Sequence, residues 1–107
     1  MGCIRTLKDR SSTPLGVSAK FTGNGFKTEL YNQVRVLASS DKSGAVNLEE
    51  SNDGVTWYQT ATSALTGGTP LAARFFCHAY YARVVYANST DAQAAFDLQV
   101  YVDPFGV

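Results

Sequence analysis

The sequence of 107 residues holds one histidine and two cysteines, and that scarcity removes most metal and nucleophile chemistry at the outset. A structural zinc site takes four ligands, whereas only Cys3, Cys77 and His78 offer sulfur or imidazole, with Cys3 far off in sequence. Cys77 and His78 are neighbours, so on a strand their side chains point to opposite faces and do not make a nucleophile–base pair. Two cysteines form no disulfide framework, and a Cys3–Cys77 bridge does not follow from position. Cys77 reads as a small buried hydrophobe in an apolar run, and Cys3 as a free thiol of a reducing cytosol.

Long apolar runs are missing too. None is long enough to span a bilayer, so no membrane partner is expected. Met1 to Thr6 holds no apolar stretch of signal-peptide length, which predicts no secretion by that route. Gly67-Gly68-Thr69 lacks the lysine and following helix of a phosphate loop. The carboxylates sit in ordinary contexts. Glu49 and Glu50 are adjacent on a strand and face opposite ways, Asp53 belongs to a turn, and Asp97 lies on a polar strand face. No pair flanks a sugar-sized cleft. The expectation is a protein that is not an enzyme, with no cofactor and no metal.

Net charge is zero but unevenly spread. Residues 1–35 carry Arg5, Lys8, Arg10, Lys20, Lys27 and Arg35 against Asp9 and Glu29, a balance of +4, and residues 36–107 balance at −4. Two readings fit equally: a basic segment folded over its own acidic body, or a basic arm reaching another acidic surface. The second makes Arg5, Lys8 and Arg10 candidate partner-binding residues. Nucleic acid is a poor partner, because the body offers no stripe of basic residues to track phosphates.

What the sequence does have is strand periodicity throughout. Val34, Val36 and Ala38 alternate with Arg35, Leu37 and Ser39, and Val46 and Leu48 alternate with Asn47 and Glu49. Asp41-Lys42-Ser43-Gly44 between them reads as a turn, with Gly44 free to take positive φ. Asn52-Asp53-Gly54 is a strong hairpin signal, with Val55 and Trp57 starting the return strand. Thr60 to Pro70 reads as a long connection, followed by strands over Leu71–Phe76 and Tyr80–Ala87. In the last strand Phe96, Leu98, Val100 and Val102 share one face, and Asp97, Gln99 and Tyr101 the other. A further strand over Lys20–Thr28 is interrupted by Gly23-Asn24-Gly25. The prediction is all-β: a single antiparallel β-sandwich, jelly-roll-like, of seven to eight strands over residues 20–107. Residues 1–19 read as an extended N-terminal arm.

Asp53, Gly54, Trp57, Phe96 and Leu98 are the expected turn and core residues. Ser51 to Trp57 is similar to the Asp box of sialidases and propeller proteins with one spacer missing, and that motif is a turn device in which the acid bonds backbone amides above the Trp. Arg83, flanked by Ala82 and Val84, is expected to pair with a carboxylate on the next strand. Tyr58, Tyr80, Tyr81, Tyr86 and Tyr101 fit core or interface packing better than a sugar-stacking platform.

Three segments in order carry a resemblance: Ser51-Asn52-Asp53-Gly54-Val55-Thr56-Trp57, then Ala82-Arg83-Val84-Val85-Tyr86-Ala87-Asn88, then Gln93 to Tyr101. Together they resemble small β-sandwich proteins encoded among virion genes of tailed bacteriophages, over residues 34–102. The resemblance implies a capsid decoration or cement protein that binds the major capsid protein and itself, as a homotrimer, on the capsid surface of the virion after synthesis in the host bacterial cytoplasm. A tail, neck or baseplate component is the alternative, and a carbohydrate-binding host-recognition module the next.

Overall fold

Among the described residues, 6–28 and 31–104 of this computed structural model, every regular element is a strand. They are β1 (Thr6–Ser11), β2 (Lys20–Thr22), β3 (Phe26–Lys27), β4 (Tyr31–Ser40), β5 (Gly44–Ser51), β6 (Tyr58–Leu65), β7 (Leu71–Phe76), β8 (Tyr81–Asn88) and β9 (Phe96–Pro104). One sheet, here sheet A, has the order β1-β9-β4-β7, and sheet B has β2-β8-β5-β6 with β3 also on β8. All pairings are antiparallel. β2 and β3 act as one edge strand broken at Gly23-Asn24-Gly25, where the Gly23 amide still donates to the Val84 carbonyl at 2.9 Å. Counted so, the fold is two four-stranded sheets in a jelly-roll-like order. With β2 and β3 taken as one strand, only the turn after β5 joins neighbours in one sheet among the described residues, and the other connections between described strands cross the sandwich.

Period-2 apolar residues from both sheets meet in the middle. Val34, Val36, Phe96, Leu98, Val100 and Val102 from sheet A bury against Val46, Leu48, Ala82, Val84 and Tyr86 from sheet B. The expected core residues Phe96 and Leu98 are both buried.

Three expectations need correction. Residues 6–11 are not part of an arm: β1 pairs with β9 from Thr6↔Val102 to Ser11↔Leu98, closing an edge that would otherwise stand open. The chain beyond β1 is anchored as well, because Oε1 of the buried Gln93 side chain accepts from the Leu15 amide at 2.8 Å and Asn88 Nδ2 donates to the Gly16 carbonyl at 2.8 Å. The sandwich thus starts by residue 6, not 20. Second, Thr60 to Leu65, expected to open a long connection, belongs to the strand Tyr58–Leu65, held by pairing with β5 despite its Thr, Ala and Ser content. Third, positive φ occurs at Gly54 and Gly68 and not at Gly44.

Gly44 instead starts β5 where space runs out. A Cβ there would lie 2.7 Å from the Ala87 carbonyl oxygen and closer still to the Tyr86 hydroxyl. Neither the β8 backbone nor a fully buried tyrosine can give way easily. Gly44→Ala is therefore expected to lose about 1–3 kcal/mol in urea melts, and an unchanged midpoint would show that β8 yields at no cost.

Candidate functional site

One end of the sandwich is built by the β5–β6 turn and the β7–β8 loop. The Ser51 hydroxyl donates to Asp53 Oδ1 at 2.9 Å and accepts from the Gly54 amide at 2.9 Å. Asp53 Oδ1 in turn accepts the Val55 and Thr56 amides, both at 2.8 Å. Gly54 takes φ +76°, which only glycine adopts cheaply. The Asp53 carboxyl is pulled down to about 2 by the Thr56 and Val55 amides and the Ser51 hydroxyl. Because the folded value is depressed, its contribution to stability is complete above the ordinary 3.8 and disappears as pH falls through about 2. Thermal melts from pH 5 to pH 2 are expected to show a smaller acid-side drop in Asp53→Asn than in the parent. Parallel curves would remove Asp53 from the acid response.

Glu50 lies beneath that turn and is 2% exposed. It follows Val46 and Leu48 in strand phase, so it points inward, while Glu49 points out. Its carboxylate accepts from the His78 and Ala79 amides and from the Thr60 hydroxyl. Burial pushes the carboxyl up, but those three donors and His78 win, and its pKa lies below the ordinary glutamate value. Glu50 therefore ties the β7–β8 loop to β5 and β6. The His78 ring is 77% exposed, with Nδ1 3.6 Å from Glu50 Oε2. Cys77 is a half-buried free thiol packed on the core, pushed up to about 12 by burial and then by Glu50, so it stays protonated at neutral pH.

Turn and loop flank an open hollow of about 450 Å³ lined by Glu50, Asn52, Asp53, Thr56, Tyr58, Thr60 and His78, among others. Asn52 is also a wall of a smaller hollow beside Tyr80, Tyr81 and Lys27. Trp57 leaves this end and lies half-buried on sheet B. The Arg83 guanidinium sits 4.3 Å from its ring centroid, and Gly25 fits against its edge. Arg83 pairs with Glu49 at 2.7 Å across the β5–β8 register, as expected for a strand arginine.

The basic residues of the expected arm are placed differently. Arg5 lies outside the described residues. Lys8 is half-buried on β1, its Nζ 5.6 Å from the Phe26 ring centroid. Arg10 faces Asp97 of β9 at 3.8 Å. The structure thus sets Lys8 and Arg10 against their own sandwich, on β1 of sheet A. The outer face of that sheet is apolar and basic. Leu7, Leu37 and Phe76 are half-exposed there. Arg35 and Arg74 stand directly opposite each other on β4 and β7, with Tyr101 opposite Arg35 on β9. Together with Leu37 and Ala72 they line an open groove of about 600 Å³. Arg74 is 5.7 Å from the Phe76 ring centroid.

Sequence reasoning missed this face, because the Arg35–Arg74 juxtaposition depends on a β4–β7 register that no local pattern encodes. It also missed the Glu50 staple, although the strand phase of Val46 and Leu48 points to it. The five tyrosines form no common platform. Tyr86 is in the core, Tyr101 on sheet A, Tyr81 under Gly54, and only Tyr58 and Tyr80 are strongly exposed, both at the turn end.

A jelly-roll-like β-sandwich, with carboxylates engaged by its own loops and an apolar, arginine-bearing outer face, is the class these features define. The chain belongs to the family described as the uncharacterised protein YqxG N-terminal domain, whose model matches residues 3–103. The crystal structure of the PBSX exported protein XepA is similar in fold, with a TM-score of 0.86 and 20% sequence identity over 97% of this chain. This chain spans 38% of that neighbour's length. No curated protein matches the sequence.

Proposed function

We propose that this chain is a non-catalytic structural protein of a bacteriophage particle, attached through the outer face of sheet A. In its most specific form it is a capsid decoration protein, self-associating and seated on the major capsid protein. The observation that carries the reading is that face. Leu7, Leu37, Phe76 and Tyr101 supply apolar area, and Arg35 and Arg74, opposite each other on β4 and β7, supply positive charge, a composition typical of protein interfaces. A partner surface bearing carboxylates among apolar groups complements it. A phage association is supported by the fold of XepA. A non-catalytic role is supported by Glu50, both of whose oxygens already accept amide or hydroxyl donors, and by Asp53, whose Oδ1 is held by its own turn.

The test uses virions lacking the protein, mixed with purified chain and pelleted. Leu37→Asp and Arg74→Glu are expected to abolish co-pelleting while leaving the melting temperature unchanged, since both side chains lie on the exposed face. Wild-type co-pelleting by both variants would exclude this face. A second reading rests on the description of XepA as exported: a phage product released free of the particle. It predicts that the wild-type chain itself stays in the supernatant.

A further inference from the structure

We infer that the hollow between the β5–β6 turn and the β7–β8 loop is a binding site for a neutral saccharide. Two exposed tyrosines mark it: Tyr58 is 67% and Tyr80 71% exposed. Tyr58 lines the larger hollow, Tyr80 lines the smaller one, and Asn52 is the wall they share. An exposed tyrosine ring offers an apolar face with a polar rim, which fits the C–H face of a pyranose ring.

The larger hollow also carries polar groups: Asn52, Thr56, Thr60 and His78 place amide, hydroxyl and imidazole groups around about 450 Å³, room for one or two sugar rings. These groups are held in place before any ligand arrives. Asp53 fixes the turn through the Val55 and Thr56 amides, and Glu50 fixes the loop through the His78 and Ala79 amides. The Tyr80 amide donates to Asn52 Oδ1 at 3.3 Å, linking loop and turn. Pre-organisation of this kind lowers the ordering cost that limits weak sugar binding.

The charge of the site selects the class. Glu50 and Asp53 both line the hollow as carboxylates, and a phosphate or carboxylate ligand would meet them directly. A cation is no better suited: both Glu50 oxygens already accept N–H or O–H donors, Asp53 Oδ1 is held by its own turn, and among the described residues no group of three or more acidic, His or Cys side chains gathers to hold a metal ion. A neutral polyol meets neither objection: it needs hydrogen-bonding groups and a flat apolar face, and the hollow has both.

The experiment is an amide NMR titration of the full chain with glucose, galactose, mannose and N-acetylglucosamine, each to about 100 mM, a range suited to millimolar affinity. The expected result is saturable shifts confined to residues 52–60 and 77–81 for at least one sugar. Tyr58→Ala and Tyr80→Ala, both exposed and so expected to fold normally, should each weaken that binding about three- to tenfold. Absence of saturable shifts with all four sugars would overturn the inference. So would full binding by both variants, or shifts confined to the outer face of sheet A. The site lies apart from the proposed attachment face, so either result leaves that reading where it stands.

Discussion

Phe96→Ala is expected to destabilise the sandwich by about 3–5 kcal/mol in urea or thermal melts. Phe96 opens β9, pairs with Ser40 of β4, and buries its ring on the inner face of sheet A. There it meets Tyr86 of sheet B, with ring centroids 4.8 Å apart and planes tilted by 55°. Truncation removes the buried ring, leaves a cavity between two sheets that their hydrogen-bonded ladders prevent from closing, and loses an aromatic pair worth about 0.5–1.5 kcal/mol. A domain of this size has about 5–15 kcal/mol in all, so the variant keeps only part of its margin. Phe96→Leu, which keeps most of the volume, should cost under about 1.5 kcal/mol. A loss below about 1 kcal/mol for the alanine variant would mean that the sheets repack around the gap.

Glu50→Ala is expected to cost about 2–4 kcal/mol, because the His78 amide, the Ala79 amide and the Thr60 hydroxyl lose their acceptor at a buried position. The loss has a local signature: hydrogen exchange should quicken at residues 77–80 more than in β9. Glu50→Gln separates shape from charge. Its carbonyl can accept the two amides and its amino group can donate to Thr60, so the expected loss is about half or less. Glu50→Gln should also weaken the acid dependence of stability. The folded carboxyl titrates below its ordinary value, so its contribution is present above that value and lost as pH falls through the folded one. Equal losses for alanine and glutamine would show that the negative charge, rather than the acceptor geometry, holds the loop.

Legibility followed the strength of the local pattern. β4, β5 and β9 were readable because Val34-Val36-Ala38, Val46-Leu48 and Phe96-Leu98-Val100-Val102 each alternate against polar residues, and those faces are the ones that meet in the core. The Asn52–Gly54 turn was readable because Ser51, Asp53 and Gly54 each have a conformational reason to be there, and it proved to be the connection within one sheet. β1 was obscured by its Leu7-Lys8-Asp9-Arg10 sequence. An edge strand whose outer side meets solvent needs no apolar period, and its place is set by the open edge of β9. β6 was obscured in the same way. The staples are the least legible. Gln93, Asn88 and Asp9 are buried polar residues in segments that look like ordinary loops, and their partners lie far away in sequence. The candidate site shows the same division: the turn half could be read, while the His78–Ala79 half is placed by a glutamate on another strand.

Immunogold electron microscopy of purified virions, with antibody against this chain, tests whether the protein is a component of a phage particle, as proposed above. The expected result is label on the particle, spread evenly over the head if the protein decorates the capsid. Label on the tail alone would keep the structural role and remove capsid decoration. Bare particles, with all the antigen left in the cleared supernatant, would rule out a structural role in the particle.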